Sequence, residues 1–291
     1  MRTTIEPTEI QILSWMETFV PNKDFFFLSK KHLRKFDKYI EEILIVPEKE
    51  FFQHAAYKQV QLVNSYAYWN LSDEVQLVMI APPEWIESLP YPLKQELLTT
   101  QVEMKRGLVL SNFDSTVDRE YQIREGDDHY LVLQKAMWSR FSYSTKKDLL
   151  LRYALLWDDF EACTPPENTP DLIKRYANSF PSEAGSNCLS TTLFALREQE
   201  WMIREWVHPE TFRIQLQNTH VKKTDMNLKA GDVLVWEDHK GLLQHASYYL
   251  GEDKCFNKNG QTFFNPWKVV QAEDLFQKWD SYNRHVYRKL G

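Results

Sequence analysis

A cysteine placed where a polar loop turns into a helix constrains this chain more than any other feature. The stretch Gly185-Ser186-Asn187-Cys188-Leu189-Ser190-Thr191-Thr192-Leu193-Phe194-Ala195-Leu196 opens with two good N-cap residues, and Leu189, Leu193 and Leu196 recur at helical spacing. Cys188 is therefore expected in the first turn, its sulfur close to backbone N–H groups that have no intrahelical partner. Those donors and the positive end of the helix dipole favour thiolate over thiol, so the spacing predicts a lowered pKa. A capped cysteine alone does not separate a nucleophile from an inert buried thiol. The choice turns on what the rest of the chain brings to it.

Gly231-Asp232-Val233-Leu234-Val235-Trp236 reads as a strand, and the segment from Gln244 to Gly260 reads as a hairpin with Gly251-Glu252-Asp253 as a three-residue turn. If Leu250 pairs with Lys254, Asn257 falls opposite Ser247 and diagonal to His245 on the same face. A helix-terminal thiol, a strand imidazole and an amide that orients it are the parts of a thiol hydrolase: Cys188 as nucleophile, His245 as base, Asn257 as orienting group. The competing histidines fit less well. His208 flanks Pro209, His220 lies in a polar run and His239 occupies a turn. A zinc site from His239, His245, Cys188 and an acid matches no ligand template, so neither metal nor cofactor is expected. Cys163, before a proline-rich span, is not expected to be a nucleophile, and Cys255, in mid-strand, reads as core.

The block from Ser186 to Ser190, the Gly-Asp-Val-Leu-Val-Trp strand and His245 followed by Tyr-Leu-Gly resemble the NlpC-type cysteine peptidases and the related CHAP amidases. This chain has Asn-Cys-Leu-Ser where that family has Asp-Cys-Ser-Gly, and Ala246-Ser247 where it has Val-Gly. The resemblance is confined to the C-terminal part. It implies a papain-like fold, an amide-cleaving (peptidase or amidase) activity and a peptide or amide substrate, such as a cell-wall peptide fragment. It also implies a tyrosine about a dozen residues before the nucleophile, which here is Tyr176; packing is the simpler reading of that residue. Tyr176, Asn187 beside the cysteine and Trp236 on the neighbouring strand form the candidate substrate-binding set. A thiol acyltransferase with the same triad, a non-catalytic peptide-binding papain-like module and a structural protein remain as alternatives.

At 291 residues the chain has room for two domains. Pro165, Pro166 and Pro170 interrupt any helix there, so the reading is a mainly helical domain over 1–162 and a papain-like α+β domain with a small antiparallel sheet over 163–291. In the N-terminal part, Ile10, Leu13, Met16 and Val20 mark one helix. A second is expected after Ser29, with Leu33, Phe36, Ile40, Ile43 and Leu44 inward and Pro47 as its stop. Pro92 to Met104 and Thr145 to Phe160 read as further helices, Val75 to Ile80 as a buried strand, and Tyr57 to Trp69 as either. Trp201 and Trp206 are expected in the core.

A formal net charge of −6 gives no reason to expect nucleic acid or anionic membrane as a partner. Three scattered cysteines and a start without an apolar leader point to a reducing, cytoplasmic setting. The expected partner is a small peptide or amide. Oligomeric state is not legible.

Overall fold

The computed structural model describes residues 2–53, 71–111, 119–224 and 227–290; His54 and the segment from Tyr57 to Trp69 lie outside them. The fold is α+β, with several small antiparallel sheets. The chain divides into two compact units, Met1–Trp15 with Leu150–Gly291, and Met16–Leu149. The boundary expected between 162 and 163 falls inside the first of these. Arg2–Thr4 pairs antiparallel with Glu161–Cys163, so the N-terminus and the residues before the prolines belong to the unit that carries Cys188.

The unit Met16–Leu149 has more helix than strand but is not built of helices alone. It holds two three-stranded sheets, one with Leu77–Ala81 between Asp24–Leu28 and Leu44–Pro47, the other with Asp128–Val132 between Val109–Ser111 and Gln122–Glu125. The helix expected from Ser29 to Pro47 stops early. Ser29 caps Lys30–Leu33, a 3₁₀ turn follows over Arg34–Phe36, and Leu44–Pro47 is a strand. Pairing with Leu77–Ala81 outweighs the local helical spacing, and of the five residues expected inward only Phe36 is fully buried. The helix Glu9–Thr18 likewise buries Ile12, Trp15 and Met16 while Ile10 and Leu13 face solvent. The helix near Pro92 spans Tyr91–Glu103, the next one Tyr143–Leu155, and the expected strand is Leu77–Ala81.

The unit built from 1–15 and 150–291 carries the candidate site. Its six-stranded antiparallel sheet has the order Lys268–Gln271, Lys254–Asn257, Leu243–Gly251, Val233–Glu237, Asn283–Lys289, His220–Lys223. The run Val-Leu-Val-Trp is apolar throughout because both faces are covered. Val233 and Val235 pack with Leu189, Leu193 and Phe212, on the side of the cysteine helix Cys188–Arg197. Leu234 and Trp236 pack with Leu275 and Trp279, on the side of the helix Ala272–Lys278. Trp201 and Trp206 are exposed, contrary to the expected core role. Trp206 Nε1–H donates to Gln261, whose backbone carbonyl accepts the Gly185 N–H, so this indole flanks the loop that leads to Cys188.

Candidate active site

The cysteine helix begins where its cap residues require. Asn187 Oδ1 accepts the Ser190 N–H at 2.9 Å and Ser190 Oγ accepts the Asn187 N–H at 2.9 Å, a reciprocal capping box worth about 1 kcal/mol. Asn187 Nδ2 donates to Val207 O at 2.8 Å. Both ends of that amide are thus committed to holding the helix start, so Asn187 is a cap rather than a substrate ligand. The loop before it is anchored from the N-terminal helix, where Trp15 Nε1–H donates to Pro181 O at 3.0 Å and Ser14 Oγ–H to Ser182 O at 2.9 Å.

The hairpin reaches the expected pairing by a different route. Glu252 and Asp253, both at left-handed φ, form a two-residue turn closed by Gly251 and Lys254. Leu250 is bulged out of the register between Tyr249 and Gly251. The shorter turn and the extra residue offset each other, Tyr248 faces Phe256, and one step further Asn257 comes opposite Ser247. His245 Nε2 lies 2.8 Å from Asn257 Oδ1, both residues being almost wholly buried.

The tautomer follows from what lies behind Asn257. Its Nδ2 donates to Asn259 Oδ1 at 2.9 Å, and Asn259 Nδ2 donates to both carboxylate oxygens of Asp158 at 3.1 Å. An ionised carboxylate only accepts. Asp158 therefore forces Asn259 to present its oxygen to Asn257, and Asn257 to present its oxygen to His245. The imidazole must then carry its proton on Nε2, leaving Nδ1 with the lone pair a base needs. Lys268 Nζ, buried with Asp158, holds the far end at 2.8 Å. Trp279 stacks on the imidazole at 4.5 Å and 12°, and Trp236 lies tilted at 5.5 Å. Trp236 is buried against the ring, so it supports the histidine from within the core.

Cys188 meets the same strand one residue along. It packs with Ala246, and the Ala246 N–H faces its sulfur. The imidazole leaves the strand on the Trp279 side, the opposite face from Cys188, so the structure brings His245 to Asn257 but not to the thiol, and among the described residues no hydrogen bond joins the two. Burial pulls His245 down to about 4, so the ring is neutral near pH 7. Burial also pushes the Cys188 thiol up, against the pull of the Ala246, Leu189 and Cys188 N–H groups. The lowered pKa expected from the helix terminus is thus not what the free site has: the donors are present, and desolvation outweighs them. Lys258 is the nearby positive group. Its buried ammonium donates to Thr262 O at 2.9 Å and Asn265 O at 2.7 Å, and burial brings it down to about 7, opposed by the charges of Asp158 and Cys188.

No protein-family model, curated protein or solved structure matches this chain. The site therefore stands on its own geometry. Tyr176 packs edge-on against Phe194 and Trp267, and its hydroxyl donates to Glu200. His208 flanks the helix Pro209–Gln217, His220 Nδ1 lies 2.9 Å from Thr219 Oγ1, and His239 is exposed in a turn. Asp158, Lys268, Lys258 and Trp279 are not legible as site residues, and Asn259 is legible only as a substitute for Asn257. The one local signal was Asn257-Lys258-Asn259, whose alternation puts both amides on one face.

Removing the orienting amide is expected to cost less than removing nucleophile or base. Asn257→Ala should lower turnover by roughly 10- to 1,000-fold, the range of positioning and electrostatic contributions. Asn257→His should retain more activity, because a neutral imidazole can also accept from Nε2–H. Unchanged rates in both variants would remove Asn257 from the site.

Proposed function

We propose that the unit carrying residues 150–291 is a thiol hydrolase that cleaves an amide or peptide bond through Cys188, His245 and Asn257. The observation that carries this reading is the 2.8 Å bond from His245 to Asn257 within a chain that leaves Nδ1 unprotonated, one strand residue from Ala246, against which the capped helix packs its thiol. At rest the thiol lies on the Ala246 face of the sheet and the imidazole on the Trp279 face, so the proposed step requires the two to come within reach; the thiol proton then passes to Nδ1 as sulfur attacks the carbonyl carbon. The imidazolium then protonates the leaving amine and the C–N bond breaks, giving a thioester. Water loses a proton to Nδ1, attacks the thioester and releases the acid, and the proton returns to sulfur. The N–H groups of the first helical turn are the expected oxyanion donors. An acyltransferase would differ only in admitting an amine or alcohol in place of that water. A non-catalytic peptide-binding module is the second reading, favoured by the absence of a thiol–imidazole hydrogen bond among the described residues.

Alkylation separates the two. With limiting iodoacetamide at pH 6.5 and peptide mapping, Cys188 should react well ahead of Cys163 and Cys255, which are buried, the latter with its thiol pushed up to about 12. His245→Ala should slow Cys188 and leave the other two unchanged. The base works only when neutral, so Cys188 reactivity should stay level from about pH 8 to 5 and fall through a midpoint near 4. An unperturbed histidine would place that limb near 6.5. The fold loses stability as pH falls from about 6.5 to about 4, since the unfolded chain takes up the His245 proton near 6.5 and the folded one only near 4. Short labelling times with fluorescence as a folding control keep the effects apart. Equal slow reaction of all three cysteines would refute the activated thiol.

A further inference from the structure

Residues 205–208 run extended between the 3₁₀ turn Glu200–Arg204 and the helix Pro209–Gln217, with Glu205 at φ −77° and ψ 155° and His208 at φ −72° and ψ 149°. Successive side chains of an extended segment point to opposite sides. Val207 is buried in the cluster that holds Leu189, Leu193 and Cys188, while Trp206 and His208 are exposed. The segment is tied to the nucleophile's own loop twice. Asn187 Nδ2 donates to Val207 O at 2.8 Å. Gln261 accepts the Gly185 N–H on its backbone carbonyl at 2.8 Å and the Trp206 Nε1–H on its side-chain oxygen at 3.0 Å. The Trp206 and His208 rings meet at 4.1 Å and 70°. Trp206 is thus held by its indole N–H, by a neighbouring ring and through its backbone, yet 45% of it is exposed.

A single exposed aromatic ring is ordinary, but an exposed ring that is also held still is not accounted for in that way. Ordering a side chain costs rotamer entropy, and fixing it before a ligand arrives removes that cost from binding. With Nε1–H committed to Gln261, what the indole offers a ligand is its apolar face. The cluster beside it, Val207, Leu189 and Cys188, is apolar as well, which favours a neutral ring over a cation as the occupant. We propose that Trp206 is the platform for an aromatic side chain of the substrate, next to the bond that Cys188 attacks. Trp206 is one residue from the carbonyl that Asn187 holds, and Asn187 is one residue from Cys188, with consecutive Cα atoms about 3.8 Å apart. The aromatic residue therefore adjoins the scissile bond. Trp206 takes the role expected of Asn187 and Trp236, one of which is a helix cap and the other core. As a substrate platform it rests on Cys188 being the nucleophile.

The test reads the platform without turnover. In the full chain, Cys188 is alkylated by iodoacetamide, by N-benzyl-2-iodoacetamide and by 2-iodo-N-(2-trimethylammonioethyl)acetamide, each rate being divided by that of the same reagent with N-acetylcysteine amide. The benzyl reagent should then be favoured over iodoacetamide at Cys188 by about 10-fold, the scale of one aromatic pair and the area it buries. Trp206→Ala should bring that ratio close to one, and Trp206→Phe should keep part of it. Gln261→Ala, which frees the indole without removing a ring, should also lower it. Trp201→Ala removes another exposed indole of the same stretch and should leave the ratio as it was. A ratio near one in the unmodified chain, a ratio that survives Trp206→Ala, an equal fall in Trp201→Ala, or a preference for the cationic reagent would overturn the aromatic platform. A failed hydrolase reading looks different: the ratio would persist, while Cys188 alkylation by every reagent would not depend on His245.

Discussion

Replacing Cys188 by alanine is expected to abolish turnover of an amide or activated ester, lowering the rate by a factor on the order of 10⁴ or more, and removing the His245 base should do the same. The double variant should be no worse than either single one, because a thiol without a proton acceptor and an acceptor without a thiol are equally idle. The resting state makes this dependence strict. With the thiol pushed up by burial and the imidazole neutral, no standing thiolate is left to react once Nδ1 is gone. His245→Ala also empties the space against Trp279 and leaves Asn257 Oδ1 without a donor, so His245→Gln is the cleaner variant. It fills much of the volume and can offer an amide N–H to Asn257, but it is no base. Single-turnover measurement of acyl release, with circular dichroism to verify folding, decides the matter. Near wild-type activity in Cys188→Ala would end the proposed mechanism.

The parts of the site that could be read from the chain are those whose determinants are local. The helix start at Cys188 follows from Asn187 and Ser190 three residues apart, and the pairing of Asn257 with His245 follows from strand alternation across a short turn. The turn itself was misread because Glu252-Asp253 lacks the Asn-Gly or Asp-Gly signal of a two-residue hairpin, and Gly251 beside it invited a longer loop. The Leu250 bulge cancelled that error by one residue. What stayed hidden depends on separation along the chain. Asp158 reaches Asn259 across 101 residues, and nothing local to either marks the other. The raised thiol was hidden for a related reason: the helix terminus is a local feature, whereas desolvation is set by everything that packs around it. In the N-terminal unit, Asp24-Phe25-Phe26-Phe27-Leu28 is buried along its whole length and offers no alternation to read, while 29–44 has helical spacing that sheet pairing overrides.

Asp158 governs the site without touching a substrate, and its loss should be felt twice. Its carboxylate is buried against Lys268 Nζ at 2.8 Å and takes both hydrogen bonds of Asn259 Nδ2. Asp158→Ala leaves a buried ammonium with only Asp159, whose exposed carboxylate lies 2.8 Å away, and leaves an amide N–H unpaired. Breaking a buried pair from one side costs about 3–5 kcal/mol, and the remaining partner argues for the lower end, about 3. That should appear as a lower urea midpoint for the unit holding residues 150–291. The second effect is on polarity. Without an acceptor-only group at its end, the Asn259 amide is free to turn over, and Asn257 with it, so the Nε2–H tautomer of His245 loses its advantage. Imidazole ¹⁵N spectra should show the Nδ1–H form rising in Asp158→Ala, with the rate falling about 10-fold or more. Asp158→Asn should fall between, since its oxygen still accepts but its N–H₂ can donate the wrong way. Because Asp158, Asn259 and Asn257 act through one chain, Asp158→Ala should cost little further rate once Asn257→Ala is in place. A full, additive loss in that double variant, or an unchanged tautomer in Asp158→Ala, would reduce Asp158 to a structural ion pair.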